Sequence, residues 1–175
     1  LPPPNLMSTP ASLDDLEVIT YQYNRQSDIT GMTDPNGTSH SYVFDQLGRQ
    51  TEDSVTTFAE HIDQSVTRIE TSYDAKRLLT DKVTSYDGAT VVNEVQYQYD
   101  HFGQLSRDSQ EHDGEVDEAS PSVSYGYEGG ARANSNRRTS LTYPDGRKIN
   151  VLYGTQTHPD DRLSRVSGLA FDGAS

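Results

Sequence analysis

The chain has no cysteine, so any chemistry must be built from its five histidines, its 27 carboxylates and its many hydroxyl side chains. Disulfides and thiolate metal sites are therefore excluded. His40, His61, His101, His112 and His158 never fall at His-x-His or His-x-x-x-His spacing, so no segment brings two imidazoles to one metal ion. Asp113-Gly114-Glu115-Val116-Asp117-Glu118 concentrates hard oxygen ligands of the kind calcium prefers, but it lacks the alternating Asp-x-Asp-x-Asp-Gly order of a calcium loop and reads as a solvated turn. Asp14 with Asp15 and Asp160 with Asp161 are paired carboxylates in polar surroundings, where nothing would hold one of them protonated as a general acid. Serine and threonine are frequent, yet no Gly-x-Ser-x-Gly elbow occurs, and sheet propensity and turn bonding account for them. The expectation is no catalytic, cofactor-binding or metal-ligating residue, and no enzymatic activity.

What recurs is aromatic. Tyr23, Phe44, Tyr73, Tyr99, Tyr127 and Tyr153 stand 21 to 29 residues apart, and Asn24, Asp45, Asp74, Asp100, Glu128 and Gly154 follow them. Most have a second ring two residues earlier, as in Tyr97-Gln98-Tyr99 and Tyr125-Gly126-Tyr127. Alternation with period two puts the rings on one face of a strand and the intervening polar residues on the other. The aspartate and a nearby glycine then supply a turn, the first by accepting backbone amides and the second by tolerating positive φ. A repeat of this length points to units that cannot bury their own face and stack on their neighbours.

Each unit reads as strand, short turn, strand and hairpin tip. Tips are expected at Asp34-Pro35-Asn36-Gly37, Asp87-Gly88, Asp113-Gly114 and Pro144-Asp145-Gly146. In the third unit, Asp74-Ala75-Lys76-Arg77-Leu78-Leu79, the glycine is missing and the turn reads as shortened. In the sixth, Arg162 to Val166 reads as the return strand and Asp161 stands in the glycine's place. Ala170-Phe171-Asp172-Gly173 looks like a further hairpin that breaks off.

The fold class expected is therefore all-β: tandem antiparallel hairpins in a continuous twisted or spiralling sheet over residues 19–175, about six units with the last truncated. Residues 1–18, with Pro2-Pro3-Pro4 and Pro10, read as a proline-rich leader or linker. The segment from Gly129 to Asn136 reads as a mobile loop. Since the chain starts with Leu1 and its last hairpin looks interrupted, it is expected to be a piece of a longer protein.

Only 31% of the residues are hydrophobic, which is low for a globular domain, but the regular placement of 11 tyrosines argues for ordered sheet over disorder. The net charge of −13 and the absence of a basic cluster argue against nucleic acid binding. No apolar run is long enough to span a membrane as a helix, and no signal peptide is recognisable. Asn36-Gly37-Thr38 fits the glycosylation pattern, though a tight turn alone explains Asn-Gly.

Tyr42-Val43-Phe44-Asp45-Gln46-Leu47-Gly48-Arg49 and Tyr97-Gln98-Tyr99-Asp100-His101-Phe102-Gly103-Gln104-Leu105, together with the Asp-Pro-Asn-Gly and Pro-Asp-Gly tips, resemble the YD repeats of the Rhs family. The resemblance covers roughly residues 19–175. It implies a long β-sheet ribbon in very large secreted or cell-surface proteins, among them bacterial polymorphic toxins, toxin-complex subunits and teneurins. It further implies a non-enzymatic segment of a shell or fibre, and as partners further repeats of the same parent chain or copies of itself. The alternative is a binding module that holds a carbohydrate or a partner protein on an exposed sheet face or on its tips, as exposed rings can. The Asp-Pro-x-Gly-Leu core of the family's self-cleavage site is lacking, because Asp34-Pro35-Asn36-Gly37 is followed by Thr38.

Overall fold

Period-two alternation interrupted by turn residues dictates a meander, and the computed structural model, which describes residues 17–129, 136–155 and 159–172, is one. Its strands are β1 (Thr20–Tyr23), β2 (Ile29–Thr33), β3 (Ser39–Phe44), β4 (Gln50–Thr57), β5 (Arg68–Tyr73), β6 (Thr80–Asp87), β7 (Thr90–Tyr99), β8 (Leu105–Glu111), β9 (Ser122–Tyr127), β10 (Arg138–Thr142), β11 (Lys148–Leu152) and β12 (Gly168–Asp172). They form one sheet in chain order, each strand antiparallel to the next. One helical turn, α1 (Pro159–Arg162), is the only helix among the described residues.

After Tyr23, Phe44, Tyr73 and Tyr99 the turn is built by the residue that follows the ring. At Asp45 the carboxylate accepts the amides of Leu47 (2.8 Å) and Arg49 (3.0 Å), while the Asp45 amide donates to the Arg49 carbonyl. Gly48 closes the loop by donating back to the Asp45 carbonyl, at a φ of 76° that a side chain would strain. The same loop recurs at Asn24 and Asp100, and again at the tip residue Asp34. Ser27, at φ 72°, holds the glycine's place in the first unit.

Every one of the first five units also carries a β-bulge at the second residue of its return strand. Tyr23 faces Ile29 while Gln22 faces Gly31, which leaves Thr30 extra; Thr51, Asp81, Ser106 and Thr139 are extra in the same way. Ser106 Oγ donates to the Gln98 carbonyl (3.0 Å), so the bulge hydroxyl satisfies a main-chain acceptor beside the irregularity. At the fifth bulge Gly126 is required for space: a Cβ there would lie 2.4 Å from Ser140 Oγ.

Three expectations from the sequence are corrected. The third turn is lengthened by one residue, with Asp74 amide bonded to the Leu79 carbonyl and Leu78 taking the positive φ of 60° that glycine takes elsewhere. In the sixth unit α1 and the residues after it occupy the place of the expected return strand, and Ser164, not Asp161, has positive φ (55°). Ala170-Phe171-Asp172 belongs to that return strand, β12, paired with β11 through Ile149 opposite Phe171. The proline-rich leader up to residue 16 and most of the Gly129–Asn136 loop lie outside the described residues.

Register sorts the side chains into two faces. One carries rows such as Tyr42, Asp53, Ile69, Ser85 and Asn93, and Tyr125, Leu141, Ile149 and Phe171, each residue opposite the next. The other carries Glu52, Glu70, Thr84, Glu94 and Glu111 in one row across β4 to β8. A single sheet has nothing to press its apolar face against, and accordingly no hydrophobic residue among those described is fully buried. Ladder hydrogen bonds and cross-strand pairs must hold the sheet in place of a core.

Candidate functional site

The site that the repeats build is the boundary between one unit and the next. Tyr73 donates its hydroxyl to the carbonyl of Gln50 (2.7 Å), Tyr99 to Thr80 (2.6 Å), Tyr127 to Leu105 (3.0 Å) and Tyr153 to Arg138 (3.0 Å). The four acceptors are the first residues of β4, β6, β8 and β10, the return strands of the preceding units. The ring that ends one unit's outgoing strand is thus tied to the previous unit at the point where its return strand begins. Phe44 occupies the equivalent place beside Ile29 and has no hydroxyl to donate. Tyr23 has no preceding unit among the described residues and is 60% exposed. Tyr73, Tyr99 and Tyr127, held against the preceding unit, are half-buried.

Arginine reinforces two of these boundaries. Arg49 bonds the turn carboxylate of Asp45 (2.6 Å) and lies over the Tyr73 ring of the next unit, 4.1 Å from its centroid. Arg137 repeats the arrangement, 3.6 Å from Glu128 and 5.1 Å from the centre of the Tyr153 ring, and also pairs with Asp161 (2.7 Å). In both, the residue just before the return strand links its own turn to the next anchor ring. The Arg49 amide and guanidinium hold the Asp45 carboxyl below the ordinary range, and the Arg77 and Arg147 amides do so for Asp74 and Asp145. Loss of water raises the Tyr99 and Tyr125 phenols, with the Asp108 carboxylate adding to the effect at Tyr125.

The polar face holds one group that no sequence pattern marked. Glu94 is 3% exposed, and its carboxylate accepts from Thr84 Oγ1 (2.9 Å) and the Val116 amide (3.3 Å) and pairs with Lys82 (3.2 Å). The segment between β8 and β9 packs over it. The expected solvated acidic turn, Asp113 to Glu118, belongs to that segment; in it Asp117 accepts the Ala119 and Ser120 amides, and Ser120 in turn donates to Glu111. Period two does place Glu94 on the polar face, but its burial depends on a contact 22 residues away.

The histidines are dispersed. His40 contacts Asp53 (2.7 Å) and stacks on Tyr42, His101 packs on Phe102, and His158 lies outside the described residues. Among the described residues no three His, Asp or Glu side chains converge as metal ligands, and no helix is long and apolar enough to cross a membrane. Asp160 and Asp161 are separated by their partners Arg165 (2.6 Å) and Arg137. Asp14 and Asp15 lie outside the described residues. Concavities flank the boundaries. One of about 270 Å³ on the polar face is lined by Glu52, Glu70, Lys82 and Tyr86, and one of about 580 Å³ by Tyr21, Met32, Tyr42 and Phe44.

No family model and no curated protein matches the chain. Among solved structures it is similar to a Tc holotoxin pore of Photorhabdus luminescens, at 14% identity and a TM-score of 0.40, over 78% of this chain and 8% of that one. It is also similar to TcdB2-TccC3 without the hypervariable C-terminal region (13% identity, TM-score 0.39, 78% and 8%) and to TcdB2-TccC3 (16%, 0.34, 80% and 8%). The chain spans less than a tenth of the length of those proteins.

Proposed function

We propose that the chain is a non-enzymatic structural segment of a large secreted or cell-surface YD-repeat protein, a length of sheet that serves as shell wall or fibre. The observation that carries this reading is the tyrosine-to-carbonyl bond repeated at four successive unit boundaries. Such a contact is made only between units, so it contributes to stability in proportion to how many units follow one another. The absence of a buried apolar residue among those described supports the same reading, since an unbacked sheet gains little from its own interior. The acidic charge of −13 suits a large assembly outside the cell, because charge of one sign opposes indiscriminate association.

The test is to lengthen the chain by one YD unit at each end and to compare thermal unfolding with that of the 175-residue chain. A raised melting temperature for the longer chain is expected. A short chain that is monomeric, cooperative and equally stable would make it a self-contained domain and end the wall reading.

A carbohydrate- or protein-binding role is the second reading. It is favoured by Tyr21 and Tyr23, both exposed, with ring centres 6.4 Å apart beside the larger concavity. Paired rings of this kind can stack on the apolar face of a sugar. Retention on immobilised polysaccharide that Tyr21→Ala abolishes would support it, and retention unchanged by that substitution would not.

A further inference from the structure

The two outer strands of the sheet are complementary, and we infer that β12 of one copy of this chain receives β1 of a second copy, head to tail, in the register the internal boundaries use. The inference rests on the reading of the chain as sheet extended unit by unit, and it adds a partner and a register. At each internal boundary the residue before the anchor ring stands opposite the first residue of the preceding return strand. Arg107 faces Ser124 and Lys82 faces Gln96, for instance, which sets Leu105 opposite Gly126 and Thr80 opposite Gln98. The ring one position further on then reaches that first residue's carbonyl.

In the sixth unit Ser167 Oγ bonds the Leu152 carbonyl as Ser106 Oγ bonds that of Gln98, so Val166 stands where Leu105 and Thr80 stand in theirs. The same rule then sets Val166 opposite Gln22 of the second copy, and Gly168 opposite its Thr20. The hydroxyl of Tyr23, which has no acceptor among the described residues, then meets the Val166 carbonyl. Side-chain parity agrees with this register independently. Leu169 falls opposite Ile19, and both are exposed and lie on the apolar face of their own copy, at 55 and 48%. A slip of one residue would set apolar against polar side chains along the whole seam. The apolar row through Val151 and Leu169 would instead run on into Ile19 of the neighbour. Because the surfaces differ, the contact is heterologous and leaves a free strand at either end, so it propagates as an open chain of copies.

The chain's lack of cysteine makes the register directly readable. Residues directly opposite in an antiparallel pair lie about 4.5 to 5.5 Å apart at Cα, within disulfide range. Thr20→Cys and Gly168→Cys versions of the 175-residue chain are mixed at ~1 M salt, where screening shortens charge repulsion to about 3 Å, and oxidised mildly. The disulfide-linked species expected is the mixed dimer, in roughly tenfold excess over either homodimer. Thr20→Cys mixed with Ala170→Cys, two residues out of register, is expected to cross-link several-fold more slowly. Tyr23→Phe added to the first pair should lower the yield of mixed dimer, since it removes only the hydroxyl. Homodimers of Thr20→Cys as abundant as mixed ones would mean that like edges pair, and would overturn the inference. So would an absence of cross-linking. If that absence accompanies a melting temperature that rises when units are added in the same chain, the wall reading stands and only the association of copies is lost.

Discussion

A single oxygen atom separates Phe44 from the four rings that bind the preceding unit, and this makes the boundary bond measurable. Tyr99→Phe should destabilise the protein by about 1 kcal/mol, the usual net worth of one hydrogen bond. Tyr99→Ala should cost more, because half-buried ring area goes with the hydroxyl, but less than the roughly 3 to 5 kcal/mol of a fully buried aromatic. Phe44→Tyr should do the reverse and stabilise by up to about 1 kcal/mol, since the Ile29 carbonyl occupies the acceptor's place. Chemical denaturation of the three variants checks these values. A melting curve unchanged in both Tyr99→Phe and Phe44→Tyr would mean that the bond contributes nothing. The same residues set the response to pH. The carboxyls of Asp45, Asp74 and Asp145 are held low by turn amides, so the folded state binds their protons less well than the unfolded chain does. The stability they contribute is complete above the unfolded carboxyl value of roughly 4 and is lost as pH falls through their folded values. Tyr99 and Tyr125 are raised, so their contribution is complete below roughly pH 10 and fades as pH rises through their folded values. A thermal-stability profile flat between these limits and falling beyond both is expected, and Asp45→Asn should blunt the acid limb.

At the scale of the element, the parts legible in the sequence were those that one strand and its own turn determine. Alternation in Val95, Tyr97 and Tyr99 gives the face of β7, and Asp100 with Gly103 gives the loop after it, because both depend on contacts within five residues. Leu78 and the sixth turn were misread for one physical reason. Sequence marks glycine, and in the sixth unit Asp161, as the positive-φ residue, whereas the chain imposes it on Ser27, Leu78 and Ser164 once the surrounding amides are committed to a carboxylate or carbonyl. The bulges need the register of two strands, the Arg49 and Arg137 links need the ring of the next unit, and the burial of Glu94 needs a segment 22 residues away, so no local pattern reports them. The anchor tyrosines lay in plain view; their acceptors became identifiable only once register was known. Leu78 supplies the test at this scale. A left-handed conformation costs a side-chain-bearing residue about 1 kcal/mol or more relative to glycine, and Leu78 is half-exposed with little packing to lose. Leu78→Gly should therefore raise stability, though by less than that because glycine also loosens the unfolded chain. A drop in melting temperature would show that the Leu78 side chain matters more than its backbone strain.

For the whole molecule, a sheet in which every strand touches only its sequence neighbours has no centre. Contacts between elements run from β1 with β2 through to β11 with β12 and skip none, so cooperativity can pass only from one hairpin to the next. A nearest-neighbour chain of this kind loses order from its ends, where a unit has one boundary instead of two. The middle has further restraint, since β6 and β7 are the strands that share the buried pair Thr84 and Glu94 and the Lys82 ion pair. Amide exchange should accordingly be slowest in β6 and β7 and grow faster toward both β1 and β12, in a gradient and not as a single global value. Removing β11 onward should speed exchange in β9 and β10, which would become the new end, and leave β6 and β7 nearly unchanged. Adding salt should slow exchange everywhere, because the charge of −13 is spread over an open sheet with no interior to oppose its repulsion. Uniform exchange that rises equally in all strands after the truncation would reveal coupling across the sheet that contacts between neighbours do not supply.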